Sequence, residues 1–159
     1  MVFVLSVSAF ASGSSISVSG DSVISSKVQN RELFRVITVI FTADSVTGAI
    51  PSLTLNASTT GVRNTPTGWY GYKIIIDGNH AGTEPTENSE IYIYENGFDL
   101  LSGGGVDQVD NTAERQVFFN NGTYNIKQPI TGDLTVTVTQ QAAATASATG
   151  TIYIYLVGE

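Results

Sequence analysis

The sequence predicts an all-β protein: an antiparallel β-sandwich, jelly-roll-like, with roughly eight to ten short strands. Three observations carry this expectation. Apolar residues recur with period two, Asn-Gly pairs punctuate the apolar runs, and no window shows capped helical periodicity. β-Branched and aromatic side chains at alternate positions suit a pleated surface with one buried face.

In chain order, the first long run is Leu33 to Thr42. It is apolar on both faces and reads as a central strand covered on both sides. Ile91 and Ile93 then alternate with Tyr92 and Tyr94. Asn96-Gly97 separates that run from Phe98-Asp-Leu-Leu101, the mark of a hairpin whose type I′ turn needs positive φ twice. Asn121-Gly122, between Gln116-Val-Phe-Phe119 and Thr123-Tyr-Asn-Ile126, reads the same way. Gly103-Gly-Gly105 is too flexible for a strand interior and predicts a loop. After the turn residues Gly132-Asp133, Leu134, Val136 and Val138 form one face and Thr135, Thr137 and Thr139 the other. Residues 140–149, rich in Ala, Ser and Thr, are expected to join this strand to the last. There Ile152, Ile154 and Leu156 face one way, and Tyr153, Tyr155 and Val157 the other.

The 159 residues suffice for one domain, since chains of this size bury about 70% of their unfolded surface. Residues 1–20, uncharged and rich in serine, are expected to form an N-terminal strand or extended arm, and 21–159 a single sandwich domain. Ala9-Phe10-Ala11 imitates a signal-peptidase site. The opening lacks a positive n-region and is shorter than a typical signal, so a strand or interlocking arm is the better reading. No run approaches the ~18–20 apolar residues of a membrane span.

Charge narrows the function classes. Fourteen acids stand against seven bases, for a net charge of -7. The bases Lys27, Arg31, Arg35, Arg63, Lys73, Arg115 and Lys127 are scattered. Nucleic-acid binding and adsorption to anionic membranes both rest on clustered Lys and Arg, so neither is expected. With no cysteine there is no thiolate chemistry and no disulfide framework.

The inventory for catalysis is thin, and the chain is read as a non-enzyme without cofactor or metal. The single histidine, His80, lies among turn residues, and no G-x-S-x-G elbow is present to make a triad with it. Acids are denser from Glu84 to Asp110: Glu84, Glu87, Glu90, Glu95, Asp99, Asp107 and Asp110. They lack the spacing of an EF-hand or a glycosidase pair and read as solvated edges and loops. Asn56-Ala-Ser58 and Asn121-Gly-Thr123 match a glycosylation pattern that is common by chance. Trp69-Tyr70-Gly71-Tyr72 is the notable aromatic cluster. It reads first as a core-filling strand start, and otherwise as a sugar-stacking platform or a protein-interface anchor.

From Gly68 to the C-terminus, a little over half the chain, the order of strands and turns resembles small tailed-phage and prophage virion proteins. The landmarks are Gly68-Trp-Tyr-Gly-Tyr-Lys-Ile-Ile, Gly82-Thr-Glu-Pro-Thr-Glu-Asn88, Glu90-Ile-Tyr-Ile-Tyr and Asn96-Gly-Phe-Asp-Leu-Leu101. Gly103-Gly-Gly-Val-Asp107, Gly132-Asp-Leu-Thr-Val-Thr-Val138 and Ala148-Thr-Gly-Thr-Ile-Tyr-Ile-Tyr-Leu156 complete the pattern. The resemblance implies a head decoration or cement protein, made in the host cytoplasm and carried on the capsid surface. Its expected partners are the major capsid protein and further copies of itself, a trimer being favoured. Expected interface residues are Val2, Val4 and Phe10 on an edge-pairing N-terminal strand, with Trp69, Tyr70 and Tyr72 in the aromatic cluster. The alternative is a carbohydrate-binding module, or a fibre or tail component, built on the Trp69 cluster.

Overall fold

The computed structural model describes residues 13–26, 31–44, 46–78, 85, 89–110, 112–139 and 148–158. These contain ten strands and no helix. The strands are β1 (Ser15–Ser26), β2 (Arg31–Thr42), β3 (Leu53–Leu55), β4 (Tyr70–Asp77) and β5 (Glu90–Glu95). They continue with β6 (Phe98–Asp99), β7 (Arg115–Phe118), β8 (Gln128–Pro129), β9 (Leu134–Thr139) and β10 (Thr149–Val157).

The topology grows from one turn. Asn96 and Gly97 have φ of 50° and 83°, so the chain reverses in the expected hairpin and β5 pairs with β6. Around that turn the antiparallel pairs nest outward: β4 with β7, β3 with β9, and β2 with β10. Rolling this long hairpin sets β10 beside β4 and β9 beside β5. Two sheets result. Sheet A runs β1-β2-β10-β4-β7, with β8 on β4, and sheet B runs β3-β9-β5-β6. This winding is that of a jelly roll.

Period-two alternation decides which side chains meet. Ile37, Val39 and Phe41 of β2, Ile152, Ile154 and Leu156 of β10, and Ile74 and Ile76 of β4 form the inner face of sheet A. Leu55, Ile91, Ile93, Leu134, Val136 and Val138 of sheet B meet them in one buried cluster. Two inward positions on sheet A are glycines because aromatic rings occupy the space. A Cβ at Gly150 would collide with the Phe41 ring, and one at Gly71 with the Phe119 ring.

Arg35 is the exception on the inner face. Its guanidinium is fully buried and forms a two-pronged ion pair with Asp21 of β1, at 3.0 Å from Nε and 2.8 Å from Nη2. It also donates to the carbonyls of Asn64 (2.6 Å) and Thr65 (3.3 Å), and Asp21 accepts from the Arg63 amide at 2.8 Å. A buried charge persists only when paired and hydrogen-bonded. Here the pair ties β1, β2 and the segment after β3 together at one end of the core.

Two expectations are corrected, for β2 and for the Asn121-Gly122 reversal, while β1 runs across residue 20 and pairs with β2 from Ser15 onward. Ile16 and Val18 point to the core, and a register shift between Val18 and Gly20 then turns Asp21 and Val23 inward. β2 has a strand on each side but is open on its outer face, where Phe34 and Ile40 are 40% and 41% exposed. The Asn121-Gly122 reversal is not a type I′ hairpin, since only Gly122 has positive φ and a single bridge joins Asn120 to Asn125. Side chains take over there: Asn120 Oδ1 accepts from the Gly122 amide, and Asn121 Oδ1 from the amides of Thr123 and Tyr124.

Candidate interaction surface

Because β-strand side chains alternate, the buried face of sheet A fixes its opposite face. Paired residues stand there in rows across the strands. One row is Ser22, Val36, Tyr155, Lys73 and Phe118; the next is Gly20, Thr38, Tyr153, Ile75 and Gln116. Ile24, Phe34, Val157 and Tyr70 flank the first, and Ser17, Ile40, Thr151 and Asp77 flank the second. Ile24 is 57% exposed, which with Phe34 and Ile40 makes this an open apolar face. Tyr153 and Tyr155 lie on β10, the middle strand of the five.

Polar groups on this face are tethered. The Lys73 ammonium donates to Gln116 Oε1 at 2.8 Å and lies 5.1 Å from the Tyr155 ring centre and 5.9 Å from that of Tyr72. Such placement over aromatic faces is attractive. Tyr72 in turn sets its ring edge against Phe118, with centres 5.6 Å apart.

Sheet B presents a different outer face. Tyr92 and Tyr94 stack with ring centres 5.6 Å apart, flanked by Thr135, Thr137 and Thr139. Tyr92 donates to Glu90 Oε2 at 2.9 Å, and this bond first, then burial, pushes its hydroxyl pKa up to about 12. Thr139 donates to the same oxygen.

The six expected interface residues divide. Val2, Val4 and Phe10 lie outside the described residues, as does His80. Tyr72 is exposed and Tyr70 half-buried. Trp69, one residue before β4, is only 8% exposed, and its ring lies 6.0 Å from the Arg35 guanidinium. That placement makes it chiefly a core side chain at the start of β4. A shallow depression of about 320 Å³ opens beside it, between 67–70 and 129–131, with Trp69 and Tyr70 in its wall.

Of the described acids in this stretch, Glu95, Asp99 and Asp110 hold turns, whereas Asp107 is exposed and Glu90 lies on β5. Asp99 accepts from the amides of Leu101 (3.0 Å) and Gly103 (2.7 Å). Glu95 is buried and accepts from Thr131 N, Thr131 Oγ1 and Gly132 N, fixing the turn before β9. Asp110 is also buried, accepting from Thr112 and Ala113 and pairing with Arg115. Hydrogen bonds from Thr112, opposed by burial and helped by Arg115, hold its carboxyl well below the usual range. Glu84 and Glu87 lie outside the described residues. Among the described residues no three His, Asp or Glu side chains gather as a metal cage.

Sequence reasoning missed the outer face of sheet A as a unit. Its signal is the two-sided apolarity of Leu33–Thr42, a pattern that double burial produces equally well. No known family, curated protein or solved structure matches the chain.

Proposed function

We propose that this chain is a non-catalytic virion structural protein, a capsid decoration or cement protein that binds and stabilises the assembled head. The observation that carries the reading is the outer face of sheet A, an open, aromatic-centred surface on a rigid jelly roll. Rigid sheets present many side chains at once with little ordering cost on contact, which suits a subunit used in many copies. The acids of the second half support it too, because Glu95, Asp99 and Asp110 are engaged as turn acceptors rather than gathered for chemistry. The net charge of -7 suits the outside of a head better than its packaged genome. On this reading the partners are the major capsid protein and other copies of the chain.

The test uses heads of the phage or prophage that encodes the chain, prepared without it. Adding the protein should raise the temperature at which heads release their DNA, by the linkage expected when a ligand binds only the intact form. An unchanged release temperature at saturating protein would count against a cementing role.

A further inference from the structure

The outer face of sheet A has the anatomy of a protein–protein interface. At its centre stand Tyr153 and Tyr155, the residue type enriched among interface anchors. Phe34 and Ile40 on the adjacent strand are exposed beside them. On the β1 edge the outward side chains are Ser17, Ser22 and Ile24, so the aromatic and aliphatic centre meets a rim that mixes hydroxyls with one exposed isoleucine.

We infer that this face is where a second copy of the chain docks, sheet against sheet. Charge favours that occupant. The chain carries -7, so most pairings of its surface with itself are repulsive. In the paired rows of this face, the charged side chains among the described residues are Lys73 and Asp77, which cancel. Like faces therefore meet here without the repulsion that the rest of the molecule imposes. Area agrees. The eighteen positions of these four rows, at about 4.8 Å by about 6.8 Å each, give a footprint of roughly 600 Å². Interdigitating side chains bring that towards the ~800 Å² per partner of a standard interface. The inference rests on the proposed multi-copy structural role; it gives this face to the contact between copies and leaves contact with the head to the rest of the surface.

Solution mass tests it, with no capsid present. The full chain should show a concentration-dependent mass above the 16.8 kDa monomer. The double variant Phe34→Lys/Ile40→Lys should weaken association by about 100-fold or more, because it puts like charges into an apolar contact. The control Thr137→Lys, on the outer face of sheet B, should associate as the parent does. A second readout does not depend on those variants folding. The chain lacks cysteine, so Thr38→Cys introduces one thiol at the middle of the face, which should be shielded from alkylation as protein concentration rises. A monomer at all concentrations overturns the inference, as does an oligomer that survives the double variant or leaves the Thr38→Cys thiol open. So does a full chain that is monomeric and associates only once residues 2–11 are removed, since its own leading segment would then be the occupant. A monomer that still stabilises heads would sink this inference alone. An oligomer that ignores heads would sink the cement reading alone.

Discussion

The Arg35–Asp21 pair offers the sharpest test of the packing account. Its side chains are 0% and 1% exposed, so the figure of 0–1 kcal/mol for surface pairs does not apply. Replacing Asp21 with Ala removes both acceptors of the guanidinium on β1 and the acceptor of the Arg63 amide. The arginine would keep only the Asn64 and Thr65 carbonyls and would stand as an unpaired buried cation. Breaking a buried pair in this way costs about 3–5 kcal/mol. Urea unfolding reads that cost: with a slope of about 2 kcal/mol/M, the midpoint should fall by about 2 M. Arg35→Met should cost a similar amount, since it leaves Asp21 buried and short of partners. The double variant should cost less than the sum, with a coupling of at least about 2 kcal/mol, because neither charge is then left alone. Additive single effects, each below about 1 kcal/mol, would refute the reasoning.

Other consequences are simpler to score. Trp69→Ala should cost about 3–5 kcal/mol of stability, as for other buried aromatics; as the only tryptophan, Trp69 should emit at short wavelength and resist iodide quenching. Gly105→Ala would drive a Cβ into the Ile91 carbonyl oxygen, beside the bond from the Ile91 amide to Gly105 O, and should destabilise by about 1–3 kcal/mol in thermal melts. Asp21, Asp44 and Asp110 all have carboxyls lowered from the ordinary 3.8. At Asp21 burial pushes upward, and the Arg35 and Arg63 hydrogen bonds outweigh it. At Asp44 the Thr47 and Val46 amides dominate. Groups lowered on folding stabilise above the unfolded value and lose that contribution as pH falls through the folded one. The melting temperature should therefore be flat down to about pH 5 and fall below about pH 4; a rise on acidification would contradict these assignments. Tyr92, raised to about 12, should ionise late in an alkaline absorbance titration, and Glu90→Gln should bring it earlier.

Much of the fold was legible because alternation survives in the strands that build the core. β5, β9 and β10 each keep strict period two, and Asn96-Gly97 names the innermost turn from which the nested pairing follows. β1 was hidden because the register shift near Gly20 breaks its alternation, so Ile16 and Val18 do not line up in sequence with Val23. β3, β6 and β8 span two or three residues, too few to carry a period. The partners of Arg35 lie 14, 29 and 30 positions away along the chain, so no local pattern could announce a buried cation. The candidate surface was half legible. Its tyrosines and the apolar outer residues of β2 were visible, but which face another layer covers is decided by topology, not by strand composition.

The central claim is that this jelly roll docks in many copies on an assembled head, and sedimentation tests it most directly. Increasing amounts of protein are mixed with decoration-free heads, and the bound fraction is read from the pellet. The account predicts a binding curve that saturates at a fixed whole-number ratio to the major capsid protein. Protein that stays in the supernatant, or pellets in proportion to its concentration without a plateau, would contradict it.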